Sequence, residues 1–246
     1  MSTEHSPAVT LLTEQGIKRA EIRAQWKEEA GDLIDALQLS LSVAYSIIDR
    51  FSGRKFEQQS KSIEGRMSLT AQFLQGVDIC EVSISEGLYS QAAALLKQEL
   101  ETIVAVDEFE SNRRKEGKTP NVGQGNMSGF GPIYGDLNNI AHVSRHDLAR
   151  QLVTIEEVEI CAPTLIPQYN SGLARLLYGL HILLIVETAK QIEKVFQEIF
   201  GEGFSEEEKQ WLFLATMILL KEEVIKPDPA AKDRFPDLDF ADLFKT

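Results

Sequence analysis

The stretch YGDLNNIAHVSRHDLAR holds two of the four histidines of the chain, His142 and His146, which are four residues apart. If both lie on one helix, they share a face and could hold one metal ion. Metallopeptidase helices use this spacing but place a glutamate directly after the first histidine, where this chain has Val143. A metal-free acid–base role for His142 stays open, because imidazole titrates near neutral pH. We favour a structural role for both histidines at the end of a bundle, and we expect neither a metal ion nor a cofactor.

Lys97 and Glu101 form a second pair of candidate residues, one turn apart in the apolar segment AAALLKQELETIVAVDEF. Residues at this spacing lie on the same side of a helix. Arg145 follows His142 by three residues and adds a cation nearby in the sequence.

The segment from Tyr134 to His142 has the form Tyr-x-x-Leu-Asn-x-x-x-His, and Lys97 and Glu101 precede it on a helix. This combination resembles a poorly characterised family of helical proteins. Members carry a basic residue and a glutamate on one helix, then a variable loop and a Tyr-x-x-Leu-Ser-x-x-x-His segment. That family is similar to the HEPN superfamily, which includes abortive-infection proteins and ribonucleases. The resemblance covers roughly residues 87–150, and it implies an all-helical fold and a role in defence or stress.

HEPN ribonucleases act on the scissile phosphate through an Arg-Asn-x-x-x-His motif. In this chain the resemblance places the asparagine at Asn138 and the histidine at His142, but Leu137 occupies the arginine position. An apolar side chain cannot stabilise the charge on a pentavalent phosphate, so ribonuclease chemistry would need another cation. If such chemistry occurs, the candidate catalytic residues are His142, Glu101, Lys97 and Arg145, and the candidate binding residues are Tyr134, Asn138 and His146. We expect a working surface at one end of the bundle, where Lys97, Glu101, Tyr134, His142 and Arg145 meet the glycine-rich loop.

The composition describes a globular protein with a large negative charge. Of its 246 residues, 43% are hydrophobic and 26% are charged, and the net charge is −13. That charge argues against sequence-independent binding of nucleic acid, which needs clustered lysine and arginine. The two cysteines, Cys80 and Cys161, form neither a zinc motif nor a disulfide framework, which favours a cytoplasmic protein. The N-terminus has no basic region followed by an apolar run, so we expect no secretory signal.

Apolar residues that recur at intervals of three and four predict a series of helices. The expected helices cover about residues 17–50, 56–85, 89–116, a short segment from Pro132 that carries both histidines, 170–200 and 205–224. Met67 and Leu214 are among the residues expected to face inward. The apolar run LLYGLHILLIV is too short to span a bilayer, which takes about 20 residues, so we expect the most buried helix and no membrane contact.

Six glycines and two prolines between Gly117 and Gly135 predict a long loop. β-branched residues and two prolines at 153–167 predict an extended segment or a small hairpin. We therefore expect an all-α protein: a single bundle of five to seven helices with a long glycine-rich loop and a small extended insertion.

The bundle is expected to cover residues 1–226, and an acidic and apolar tail follows at 227–246. Segments of this composition bind grooves, and whether the tail binds its own bundle or a partner stays open. These features favour a binding or interaction protein that forms homo-oligomers. The alternative is a hydrolase, foremost a metal-independent ribonuclease that uses His142, and RNA is an expected partner only in that case.

Overall fold

Helices and one short hairpin make up the described part of the chain. The computed structural model describes residues 6–56, 60–123, 130–157 and 160–226. The elements are α1 (Pro7–Glu29), α2 (Asp32–Phe51), α3 (Lys61–Ser85), α4 (Tyr89–Glu110), α5 (Gly131–Ala141), α6 (His146–Val153), β1 (Thr154–Glu157), β2 (Ile160–Pro163), α7 (Ser171–Phe200) and α8 (Glu206–Lys221). The all-α class is confirmed.

The long first helix predicted at 17–50 is two helices, α1 and α2, which meet at 92°. The break lies at Gly31, whose φ of 51° is in the left-handed region that glycine adopts without a steric penalty. The prediction was wrong because Trp26 and Leu33 are seven residues apart and continue one apolar stripe across the bend. Both are buried, so the periodicity does not report the change of direction.

The core is built around α7, which packs against α2, α3 and α4. The apolar run predicted as the most buried helix lies in α7, with Ile182, Leu184 and Ile185 fully buried. By length and apolar content, α7 is the one described helix that could cross a membrane by itself. Helices α1 and α2, which are bent relative to each other, are long and apolar enough only when taken together. Since 67% of the most apolar 18-residue stretch of α7 is buried inside the protein, this helix is the centre of the bundle.

Helix α8 is fastened to α2 by a buried carboxylate. A capping box begins α8: the side chains of Ser205 and Glu208 each bind the backbone N–H of the other residue. The same Glu208 carboxylate accepts hydrogen bonds from Arg50 at 2.7 Å and from Ser46 at 2.9 Å. One glutamate therefore caps α8 and connects it to α2.

Other predictions are partly confirmed. The inner face expected for the third predicted helix is buried in α4, from Ala92 to Val104. Met67 and Leu214 were expected inside but are exposed, because each lies on the outward side of its helix.

The hairpin is present, with Thr154 opposite Pro163. In the glycine-rich segment α5 already begins at Gly131, whereas residues 124–129 and the tail 227–246 lie outside the described residues.

Candidate functional site

The two histidines that suggested a metal pair do not share a helix. Helix α5 ends at Ala141, and His142 is its C-cap residue, whose N–H donates to the Asn138 carbonyl at 3.0 Å. Val143 then turns the chain with a φ of 52°, and His146 begins α6. Both histidines are exposed. The prediction of one helix carrying the pair was wrong, since the chain changes direction between them.

Arg145 lies in the exposed turn that leads into α6. Its guanidinium donates to the Asp147 carboxylate, from Nε at 3.1 Å and also from Nη2. The nearby carboxylate raises the pKa of Arg145. Arg145 is thus a paired cation at the surface of this turn.

Three predicted site residues meet between α4 and α5. The Lys97 ammonium lies 2.8 Å from Oε1 of Glu101, and the Tyr134 hydroxyl donates to the same oxygen at 2.7 Å. Lys97 Nζ also lies 5.9 Å from the centre of the Tyr134 ring. Burial, followed by the hydrogen bond and the charge of Glu101, raises the pKa of Tyr134 to about 12. The three side chains connect α5 to the bundle and leave a partly exposed polar surface.

The motif residues between Tyr134 and His142 divide between core and surface. Leu137, at the position of the arginine in HEPN ribonucleases, is buried in the apolar core. Asn138 is half-buried, and its carbonyl accepts the N–H of His142. An arginine at 137 would place a cation inside the core, so any phosphate chemistry here would rely on other residues.

The first part of the glycine-rich segment is anchored to α4 through Glu108. This carboxylate accepts the N–H of Asn121 at 2.9 Å and a hydrogen bond from Arg114 at 3.3 Å. The Glu108 carbonyl accepts the N–H of Arg113 at 2.7 Å. The segment that follows α4 is therefore fixed by specific hydrogen bonds as far as Asn121.

A second cluster, which the sequence did not predict as a site, lies inside the bundle. Cys80 of α3, Glu99 of α4 and His181 of α7 are all buried, and one ligand atom from each lies within 4.8 Å of the others. Nδ1 of His181 is 2.9 Å from Oε2 of Glu99. Burial, and then the negative charge of Glu99, raises the pKa of the Cys80 thiol. A thiol, a carboxylate and an imidazole are the donor types that bind transition metals.

Two signals in the sequence point to this cluster. His181 interrupts an otherwise apolar run, and a buried histidine needs a polar partner. Glu99 lies seven residues after Ala92 and four before Ile103, which places it on the inner face of α4. Glutamate is mostly exposed in proteins, so the burial of Glu99 is a finding of the structure.

The outer side of α1 exposes apolar side chains. We name Val9, Leu12, Gly16, Ile17 and Ala20 the α1 stripe, because they lie on one side of the helix and are all exposed. Val9, Leu12 and Ile17 are 43%, 67% and 57% exposed. The opposite side of α1 buries Ile22 and Trp26.

Comparison with known proteins gives no relative for this chain: no protein-family model, no curated protein and no solved structure matches it. The resemblance to the HEPN-like family therefore depends on the motif residues alone.

Proposed function

We propose that this chain is a helical interaction module that associates with a second copy of itself through the α1 stripe. The observation that supports this proposal is a 23-residue helix that presents Leu12 and Ile17 to solvent in its first half. Helices in proteins gain most of their stability from packing an apolar face against other elements, and an open apolar face on a long helix is an interaction surface.

The inner side of α1 is fixed to the bundle, which keeps the stripe in place. Gln15 donates to the Leu165 carbonyl at 2.8 Å, and Arg23 donates to Glu81 at 3.0 Å. The Trp26 ring lies 4.9 Å from the Tyr178 ring, measured between centroids. A helix held in this way offers the same surface in every copy, as a two-fold interface requires.

Charge also favours α1 as the contact between copies. The helix has four acidic residues and four basic ones, so its net charge is zero, whereas the whole chain carries −13. Like charges on two approaching copies repel, and this repulsion is weakest where the local charge is balanced. A neutral apolar stripe is therefore the surface of α1 through which two acidic chains can approach.

The test measures the mass of the full-length protein in solution, by sedimentation or light scattering, for wild type and for Leu12→Glu/Ile17→Glu. We expect a dimer for the wild type and a monomer for the variant. Ile79→Glu is the matched control, since Ile79 is 59% exposed on α3 and its replacement adds the same kind of charge. A monomeric wild type, or a dimer that survives in the double variant, would contradict the proposal.

We propose that the tail binds a second partner, and a truncated protein distinguishes the role of the tail from that of the α1 stripe. We expect protein lacking residues 227–246 to remain dimeric and to lose only a partner that binds the tail. If the truncated protein is monomeric, the interface between copies involves the tail. A cytoplasmic location is part of the proposal, since two cysteines without a disulfide framework suit a reducing compartment.

Ribonuclease activity is the alternative proposal, and one observation favours it. The predicted residues Lys97, Glu101 and Tyr134 form one partly exposed cluster on the helix pair that also carries His142. RNA cleavage that disappears in His142→Ala and Glu101→Gln, with the helical content unchanged, would support this function. Glu110→Gln is the matched control for the glutamate replacement, because Glu110 is exposed on the same helix, α4, and has no predicted role.

A further inference from the structure

We propose that Cys80, Glu99 and His181 form a binding site for a divalent transition metal ion, with zinc as the best fit. The site is independent of the interaction surface on α1. It lies where α3, α4 and α7 pack against one another.

The spacing of the three donor groups suits one ion. Bond lengths of about 2.0 to 2.3 Å place neighbouring ligand atoms of a tetrahedral zinc site about 3.3 to 3.8 Å apart. The three ligand atoms already lie within 4.8 Å of one another, and His181 Nδ1 is 2.9 Å from Glu99 Oε2. Small side-chain rotations would bring all three to bonding distance without moving the helices.

Two polar atoms of the cluster lack a hydrogen-bond partner among the described residues: Oε1 of Glu99 and Nε2 of His181. His181 is fully buried, and the Glu99 side chain is 7% exposed. A buried polar atom without a partner has a cost in stability, and a charged one costs more. A metal ion bound by these groups would remove at least part of this cost, which a histidine–glutamate pair alone does not.

The charges and donor types select the class of metal. A thiolate and a carboxylate carry two negative charges, and a divalent ion with a neutral imidazole makes the buried site neutral overall. Sulfur and nitrogen donors favour zinc and its neighbours over magnesium and calcium, which prefer oxygen. The second oxygen of Glu99 can serve as the fourth donor. Because the site is closed by three helices, the ion would stabilise the bundle rather than react with a substrate.

The first test measures the metal content of untagged full-length protein grown with zinc. We expect about one ion per chain in the wild type, and its loss in Cys80→Ala and Glu99→Gln. Cys161→Ser and His142→Ala/His146→Ala are matched controls for cysteine and histidine and should keep the ion. Wild-type protein without metal, or an ion that remains in Cys80→Ala and disappears in the histidine control, would overturn the proposal.

A second measurement needs no variant and so avoids the problem of a substitution that prevents folding. Wild-type protein is unfolded, freed of metal by a chelator and refolded with cobalt(II). We expect a thiolate-to-cobalt charge-transfer band at a ratio of one ion to one chain. We also expect equimolar zinc to raise the Tm of the refolded wild-type protein. Refolded protein without the cobalt band would contradict the site.

Discussion

His181 Nδ1 lies 2.9 Å from the Glu99 carboxylate, in a part of the bundle where both side chains are buried. The two residues are 82 positions apart and belong to α7 and α4. A buried polar group that loses its hydrogen-bond partner destabilises the fold, so each of these side chains depends on the other. The pair therefore makes the packing of α4 against α7 depend on one specific contact.

Single replacements at this contact should cost more than a double one. In the presence of a chelator, Glu99→Leu and His181→Leu should each lower the free energy of unfolding by about 1–3 kcal/mol, since each leaves a buried polar partner alone. The double variant should lose less than the sum, because two apolar side chains replace the whole pair. Urea unfolding gives the three values, and effects that add within about 0.5 kcal/mol would show that the residues are not coupled.

Tyr134→Phe should weaken the attachment of α5. The variant loses the hydroxyl that donates to Glu101, at an expected cost of about 1 kcal/mol for a partly exposed bond. Faster hydrogen exchange in α5 would accompany the loss. Tyr45→Phe is the control, since Tyr45 is 70% exposed.

The contribution of Tyr134 should also depend on pH. The folded protein raises the pKa of Tyr134 to about 12, above its ordinary value of about 10, so the protonated phenol is the stabilised form. The stability difference between wild type and Tyr134→Phe should be complete below pH of about 10 and disappear as the pH rises through 12. A difference that grows in this range would contradict the hydrogen bond to Glu101.

Glu208→Gln should weaken the packing of α8 against α2, and the loss of stability should depend on pH. Burial by itself would raise the pKa of Glu208, but the Ser205 N–H, Arg50 and Ser46 together hold it below the ordinary value. The stability is therefore present above the unfolded pKa, near 4, and is lost as the pH falls through the lower folded value. We expect a cost of about 1–3 kcal/mol at neutral pH that shrinks in acid. A cost that is the same at pH 7 and in acid would show that the charge of Glu208 is not involved.

Val143→Gly should stabilise the protein slightly. Val143 is exposed and has a φ of 52°, a conformation that costs a β-branched residue about 1–2 kcal/mol. Glycine removes this strain but gains freedom in the unfolded chain, so a net gain of about 0.5–1 kcal/mol is expected. Thermal unfolding measures it, and a lower Tm would mean that the Val143 side chain has a stabilising contact.

Local patterns in the sequence predicted several element ends correctly. The helix expected at about 170–200 and the start of the helix expected at about 205 are confirmed, because the caps at Asn170, Gly201 and Ser205 each depend on residues within a few positions. The bend at Gly31 was not predicted, since Trp26 and Leu33 remain in phase on either side of it.

The candidate sites show the same difference: contacts within one helix could be predicted from the sequence, whereas contacts between distant helices could not. Lys97 and Glu101 were predicted to lie on one side of a helix because they are one turn apart, and in the structure they form an ion pair there. The cluster of Cys80, Glu99 and His181 was not predicted, because three helices bring it together and the helix periodicity does not specify which buried polar residues meet. The turn at Val143 separated His142 from His146, and a left-handed valine has no simple sequence signal.

Hydrogen exchange of α1 across a dilution series tests the central claim most directly, because it observes the proposed interface itself. If two copies pair through the α1 stripe, the amides between residues 8 and 20 should be protected in concentrated protein. They should exchange faster as dilution separates the copies, while the amides of α7 keep their protection. Exchange in α1 that is the same at every concentration, although the mass of the protein changes, would contradict the proposal.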